Sequence, residues 1–528
     1  MITRRRFLGT TAAIAAVSLY SPALRAAAVD TLRFASSAGG PRALDPNQTT
    51  QGSDNWAAIQ IFEYLVLPPD GNFGVNPSDF EPWLAESWTT SDDARTWVFT
   101  LRQGVQFHKG YGEMTADDVV RSFVRARDEG VSKATYANIT NAVASGKYEV
   151  TLTLADPDPM FLSSTVSTMR VMVISKKAEE ELGEKFLTEP IGTGPYQLDR
   201  FDSEKGMFLS RHEGYWGEPA IIPKVECLYI ADTTARTLAL ISGEVDMIEG
   251  VRQPGWVPQM QGQKADLLFD MTVPGSFNTL FFNLDKDPLQ NILIRKAIMH
   301  GINKQEIVDA LAPMARMVYT LNPPNYPTGF ALEDLPEDLR YEYDPDKAKK
   351  LLAEAGMPNG FKIPVNTSQR EDYKSQHLII QEQLRQIGID VELTIMDHSA
   401  YHGTNRQNLN TLNINSSSLP PVPLYVFSQY APSAANMTAD GKGGGNYSHY
   451  GVAIPGVDDL LAEMLQTTTF DAYVAKGREV ELKIQRDLPM AGLPTLSYLV
   501  VRNPRIDLGF EVKGGYAFWR FCKAKIVA

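Results

Sequence analysis

The chain has 528 residues, 43% of them hydrophobic, and carries 63 acidic against 50 basic side chains, for a net charge of −13. That length is ample for large buried cores in roughly two to four domains. The acidic balance argues against binding nucleic acid or anionic lipid, since both partners call for a basic face.

Residues 1–28 read as a twin-arginine export signal. Arg4, Arg5 and Arg6 precede a short apolar run from Gly9 to Tyr20, and Ala26, Ala27 and Ala28 are the small residues a signal peptidase accepts. The run falls short of the ~20 residues that span a bilayer, and no later stretch is long and apolar enough. The expectation is therefore an exported, periplasmic chain, whose net charge becomes −17 once Arg4, Arg5, Arg6 and Arg25 are removed. In such a compartment Cys227 and Cys522 can pair or remain as two buried thiols.

Thr31 to Ser37 reads as a strand, followed by the turn-rich Gly39-Gly40-Pro41 and Leu44-Asp45-Pro46, with Asp54-Asn55 placed to cap a helix over Ala57 to Leu65. The stretch Glu81 to Phe123 is denser in signal. Ser91-Asp92-Asp93-Ala94 is a turn by composition, and Trp97, Phe99 and Leu101 then alternate with Val98, Thr100 and Arg102, the period of a strand with one buried face. Gln103-Gly104 breaks the strand and Val105 and Phe107 repeat the alternation. Thr115 with Asp118 three residues on forms a capping box for a helix whose stripe is Val119, Val120, Phe123 and Val124.

Tyr148 to Leu154 is strand-like, and Ile191-Gly192-Thr193-Gly194-Pro195-Tyr196 suits a sharp reversal. A phosphate cradle needs a helix opening directly after it, and Pro195 with the strand-like Tyr196 to Arg200 removes that context. Thr237 to Ser242 is a short helix closed by Gly243 and followed by a strand. From Phe277-Asn278 the pattern becomes αβ units: a strand Thr279 to Asn283, a helix from Ile294 to about Leu311, a helix opened by Asp344-Pro345 and ended by Gly356, and a helix Tyr373 to Ile387 that leads through Gly388 into the strand Ile389 to Met396. Such spacing implies a partly parallel sheet with helices on its faces.

Four groups of residues carry a family resemblance: PWLAESW from Pro82, WVFTLRQGVQFHKG from Trp97, MTADDVVRSF from Met114, and the GTGPY turn at Gly192 with the later Tyr215-Trp216-Gly217. In this order the chain resembles the family 5 extracellular solute-binding proteins, the dipeptide- and oligopeptide-binding receptors of bacterial ABC importers. The resemblance implies an α/β fold, a two-lobed periplasmic binding protein of type II in the peptide-receptor cluster, with an extra subdomain and a central ligand cleft. It implies lobe I in residues 30–66, 189–275 and 489–528, the extra subdomain in 67–188 and lobe II in 276–488. The chain then crosses between lobes near Ser276 and Pro489, a connection sparse enough to hinge. The implied partners are a small-molecule ligand (peptide, sugar or conjugate) and the permease and ATPase subunits at the inner membrane. No nucleic acid and no cofactor is implied, and the receptor is expected to be a monomer.

No HExxH, GxSxG, P-loop or CxxC is present, and the pairs Asp92-Asp93, Asp117-Asp118 and Asp458-Asp459 fall in turns or helix starts, so a secreted hydrolase is the less fitting reading. His398 and His402, four apart, share a helical face but lack a third metal ligand nearby.

The ligand-facing candidates follow from the resemblance and from side-chain chemistry. Ser36, Ser37, Asn55 and Trp56 lie where the family forms one lip of the cleft, and Phe277 and Asn278 stand beside the crossing near Ser276. In peptide-binding members the segment matching Asn408 to Pro423 holds an aspartate for the peptide's α-amino group, whereas here it holds asparagine and serine. An unpaired ammonium in a closed cleft costs several kcal/mol. Asn413, Asn415, Ser416, Ser417 and Ser418 suit hydroxyls, amides or a carboxylate, and Arg406 can clamp a carboxylate. Alternatively this is a solvated loop, and Asp397 or Asp440 supplies the missing acid. Trp56, Trp256, Tyr430 and Trp519 are candidates for stacking on a ligand, and Ala439 to Tyr447 reads as a glycine-rich flexible loop.

Overall fold

The computed structural model describes residues 30–37, 43–48, 52–438, 440, 444–514 and 519–527. The export signal, the Gly39-Gly40-Pro41 turn and much of the 439–447 loop lie outside the described residues.

Alternating apolar residues build one long mixed sheet, nine-stranded among the described residues. Its spatial order is Leu412–Ser417, Leu268–Phe282, Met490–Arg502, Met247–Glu249, Thr31–Ser36, Lys224–Tyr229, Gly206–Arg211 and Tyr196–Asp202, with Ala315–Arg316 added on Met490–Arg502. Thr31–Ser36 runs parallel to both of its neighbours. The two longest strands, Leu268–Phe282 and Met490–Arg502, pair antiparallel along most of their length, with register shifts between Thr272 and Asn278.

The Glu81–Phe123 stretch folds largely as its periodicity requires. Thr96–Leu101 buries Trp97, Phe99 and Leu101, each worth roughly 1.5–3 kcal/mol of transfer free energy. It is an inner strand of a four-stranded antiparallel sheet, between Ala85–Thr90 and Glu149–Leu154. Val105 and Phe107 are buried but extend no strand, apart from a single bridge between Gln106 and Glu113. The helix Ala116–Asp128 opens on Thr115, whose backbone N–H donates to Asp118 at 2.9 Å. Val119 and Phe123 are buried, while Val120 and Val124 are half-buried.

Four expectations are corrected. The first helix is Gly52–Ile61, so Asn55 lies inside it rather than capping it. The helix from Ile292 stops at Gly301, and Asn303 caps a new one, Lys304–Ala310, by accepting the N–H groups of Gln305 and Glu306. The αβ unit Phe361–Ser368, Glu371–Gln386, Ile389–Met396 does form a parallel strand pair, but as a separate two-stranded sheet. The strand at Thr279 instead pairs antiparallel on both sides. Of the two alternatives open for the cysteines, the structure has the free thiols, Cys227 buried and Cys522 half-buried.

Candidate functional site

The recognised motifs converge on a residue that none of them contains. Glu63, two residues beyond the first helix, is 3% exposed and accepts four hydrogen bonds: from Trp83 Nε1 at 2.8 Å, Thr193 Oγ1 at 2.8 Å, Tyr215 OH at 2.7 Å and Trp216 Nε1 at 3.0 Å. Burial raises its pKa and the four donors oppose that rise. Arg102 lies over the Trp216 ring at 4.6 Å. His108 joins the same knot: the N–H of Gly192 donates to Nδ1 at 3.4 Å, which leaves Nε2–H to donate to Gly194 O at 2.9 Å. Burial pushes this imidazole down to about 3, so it is neutral. The glycines are sterically required, because a Cβ on Gly192 would sit 2.2 Å from Ile61 O and one on Gly194 2.5 Å from Gln60 O. None of Glu63, Trp83, Thr193, Tyr215 or Trp216 lines either of the two larger cavities, of about 570 and 470 Å³. The knot's role is to hold the first helix against the segments around it.

A cavity of about 570 Å³ opens beside it, within the roughly 300–1,000 Å³ usual for small-ligand sites. Asn55 and Ile59 of the first helix form one wall, and the Leu67–Gly74 loop, residues Ser163–Arg170, Ser418–Pro421 with Tyr425, Tyr498, and Trp519 with Arg520 form the others. Gly71 makes the loop's turn at φ +69, where an added Cβ would meet Glu511 O at 2.3 Å. Asp70 is the single carboxylate among the lining residues, and it accepts from Arg520 at 2.7 Å and Lys523 at 2.9 Å. Burial pushes its pKa up, but the two cations outweigh this and hold it below the ordinary carboxylate range. It is thus already neutralised. Arg252 connects cavity to sheet: its guanidinium lies over the Tyr498 ring at 4.9 Å and donates to Ser276 Oγ at 2.8 Å, at the register shift of the two long strands.

Of the residues expected to face a ligand, Asn55 and Ser418 line this cavity. Asn415, Ser417 and Tyr430 are brought together but bond to one another: Asn415 Nδ2 donates to Tyr430 OH at 2.9 Å and to Ser417 Oγ at 3.1 Å, and Tyr430 OH donates to Ser417 Oγ at 2.7 Å. Burial pushes the Tyr430 phenol up to about 12. Ser416 exchanges backbone contacts with Tyr373 OH, its N–H donating at 3.3 Å. Ser37 donates to Glu249 through N–H at 3.0 Å and Oγ at 2.6 Å, while Ser36 is buried. Asn278 Nδ2 donates to Pro494 O at 2.7 Å, and Phe277 packs edge-on against Tyr326 at 4.8 Å. Arg406 is exposed and is not among the lining residues.

The segment Asn408 to Pro423 is not a solvated loop, because Leu412–Ser417 is a strand. Its first asparagines tie strands together: Asn408 and Asn410 both accept from Asn283 Nδ2 at 2.7 Å, and Asn410 exchanges bonds with the Asn366 backbone at 2.9 and 3.1 Å. Asn413 is buried. Neither alternative acid reaches the cavity lining. Asp397 caps its own helix through the N–H groups of Ser399 and Ala400, and Asp440 is exposed and accepts from Thr438. Among the stacking candidates, Trp519 lines the cavity. Trp56 is core, packed on Phe34 at 4.2 Å, and Trp256 and Tyr430 are buried in the other cores. His398 and His402 do share a helical face, with ring centroids 4.5 Å apart, but no group of three or more His, Cys, Asp or Glu placed to hold a metal occurs among the described residues. No helix of the described residues is long and apolar enough to cross a membrane.

Asp70, Phe73, Arg170, Tyr498 and Arg520 were not singled out from the sequence. The Pro68-Pro69-Asp70-Gly71-Asn72 turn was the available signal for the first two, since a proline pair before Asp-Gly fixes a tight exposed reversal.

Residues 79–437 match the family described as bacterial extracellular solute-binding proteins, family 5 middle. The dipeptide-binding protein of Escherichia coli K12 is 27% identical over 403 residues, covering 69% of this chain and 72% of that protein. The nickel-binding periplasmic protein of the same organism is 28% identical over 494 residues, 88% of each chain. Among solved structures, the periplasmic binding protein MoaA from A. tumefaciens R10, in complex with mannopinic acid, superposes with a TM-score of 0.76 at 28% identity, covering 95% of this chain and 100% of that one.

Proposed function

This chain belongs to the family 5 extracellular solute-binding proteins, and from that membership we propose that it is the exported receptor of an ABC importer. It captures a small polar solute, a peptide or peptide-like molecule, in the cavity between the first helix and Ser418–Tyr425, and presents the closed form to a membrane permease and its ATPase. Residues 1–28 act as its twin-arginine signal and deliver it to the periplasm as a monomer. Lobe I is 30–66, 189–275 and 489–528, the extra subdomain 67–188, and lobe II 276–488. The protein binds without converting its solute.

One observation carries the ligand reading: Asp70, the single acid among the lining residues, is neutralised by Arg520 and Lys523. A free α-ammonium therefore finds no unpaired carboxylate there, whereas hydroxyls, amides and a carboxylate find Ser418, Asn55, Asn72 and Arg170 along the walls. This favours a second reading within the same class, a sugar–amino-acid conjugate such as the mannopinic acid held by the A. tumefaciens protein.

A thermal-shift screen of di- and tripeptides, glutathione, sugars and sugar–amino-acid conjugates tests this. A ligand at 100 times its Kd stabilises the protein by about 2.7 kcal/mol. Stoichiometric binding without product supports the receptor reading, and turnover of a bound solute overturns it. If free peptides alone stabilise the protein, the second reading fails.

A further inference from the structure

We propose that a second ligand site, apart from the cleft, lies between the start of the helix Lys304–Ala310 and residues 340–343, and that it takes a small monocarboxylate with an apolar body. The inference goes beyond the receptor reading and does not depend on what the cleft binds. A cavity of about 230 Å³ opens there and shares no lining residue with the cleft cavity. Its volume lies below the roughly 300–1,000 Å³ usual for drug-sized ligands, so its occupant is small.

Two cations line this cavity, Lys304 and Arg340, both half-buried and both anchored by backbone carbonyls. Lys304 Nζ donates to Val318 O at 3.1 Å, while Arg340 donates through Nε to Leu335 O at 2.9 Å and through Nη2 to Glu333 O at 3.0 Å. Among the described residues neither has a carboxylate partner, although the chain carries 63 acids against 50 basic side chains. An ammonium has three donors and a guanidinium five, so bracing the backbone leaves N–H groups on both. Burial alone pushes the Lys304 amine down to about 8, which keeps it mostly charged at neutral pH.

The remaining walls are apolar or aromatic, with Met317, Leu332 and Leu335 beside the rings of Tyr319, Tyr341 and Tyr343. Tyr341 OH donates to Gln485 O at 2.9 Å, and Glu342 O accepts from His300 Nδ1 at 2.7 Å, so the protein itself fixes the segment that carries Arg340. Glu342 is the one acid in the lining and is exposed. Lys304 and Arg340 against Glu342 leave the lining one net positive charge. A single carboxylate balances that charge, whereas a phosphate dianion overshoots it. The carboxylate pairs with the spare N–H groups, and the body of the molecule covers the leucines and rings.

The probe is phenylacetate, compared with its neutral amide, phenylacetamide, and with inorganic phosphate, each titrated by calorimetry into the full mature chain. Phenylacetate should bind with millimolar or tighter affinity, and phenylacetamide at least about tenfold more weakly. Lys304→Met and Arg340→Met, each checked for folding by its urea midpoint, should weaken phenylacetate binding by at least about tenfold. In the wild type, saturating phenylacetate should slow reductive methylation of Lys304, read by peptide mass spectrometry, which tests the site even where a variant fails to fold. The site is overturned if phenylacetate does not bind, if the amide binds as well, or if phosphate binds more tightly. It is overturned equally if Lys304 gains no protection, or if affinity stays within about twofold of the wild type in the folded variants, since phenylacetate then sits elsewhere, the cleft included.

Discussion

The knot around Glu63 and the strand Leu412–Ser417 with its following loop are built from the same kinds of polar side chain and use them in opposite ways. Around Glu63 every donor points inward at one buried carboxylate, and three segments apart in sequence, at Trp83, Thr193 and Tyr215-Trp216, are fixed by it. Along Leu412–Ser417 the polar groups are spent stepwise: Asn410 beside the strand on the Asn366 backbone, Asn415 and Ser417 on Tyr430, and past the strand's end Ser418 opens into the cavity. The first arrangement tolerates little substitution because its carboxylate is buried and every partner bonds to that one group. The second can change its last residues without disturbing the sheet, and so can change what it recognises.

The largest expected effect breaks the first side of that comparison. Glu63→Ala removes the buried acceptor of four donors and should cost about 3–5 kcal/mol of stability, read as a fall in the urea midpoint, while ligand affinity of the remaining folded protein stays close to that of the wild type. A loss below 1 kcal/mol would mean water replaces the carboxylate and the knot is not the brace described.

A second buried carboxylate sharpens the contrast, because here an asparagine satisfies it. Glu481, fully buried on the helix Phe470–Asp487, accepts from Asn322 N–H and Nδ2, both at 2.8 Å. Burial pushes it up to about 7 from an ordinary 4.5. The folded state therefore holds the proton more tightly than the unfolded chain, so its contribution is complete below pH 4.5 and is lost as pH rises through 7. Between those limits stability should decline by up to about 3 kcal/mol, and Glu481→Gln should flatten that part of the pH profile. An unaltered profile in the variant would assign the decline to other groups.

On the cleft side, Ser418→Asp places an acid at the cavity wall and should raise affinity for free dipeptides by ~1–3 kcal/mol, measured by calorimetry. An unchanged affinity would show that the α-amino group does not approach Ser418. Smallest of all, Arg406→Ala should change ligand affinity by no more than about 0.5 kcal/mol, since its side chain is exposed and lies away from the cavity lining. A loss of a full kcal/mol would return Arg406 to the site.

Elements whose cause is local were legible in the sequence. Thr115 and Asp118 specify their helix start within four residues, and the alternation of Trp97, Phe99 and Leu101 is set by one buried face. The break at Ile302-Asn303 was not legible as apolar period, because Ile294 to Leu311 stays apolar at helical spacing and the interruption is made by a cap whose backbone N–H also donates to Gln383. The cavity was legible only in part. Asn55 and Ser418 were reached through the family pattern, while Asp70, Tyr498 and Arg520 become neighbours only when distant segments meet, and no local spacing announces that. Arg406 shows the same limit: its charge is plain in the sequence, while its exposed place outside this cavity's lining is not.

The two long strands have one further consequence. Asn278 pairs with Leu493, Thr279 with Gly492 and Phe281 with Met490, so the roughly two hundred residues between them, which rejoin the sheet at Ala315–Arg316 and at its edge strand Leu412–Ser417, begin and end side by side. Topologically this stretch is a cassette with adjoining ends, which could be excised and replaced by a short turn, or exchanged for the corresponding stretch of another receptor, with the remaining sheet order preserved. Receptors with new ligands can then arise by recombination at one place in the chain as well as by single substitutions along a cleft wall.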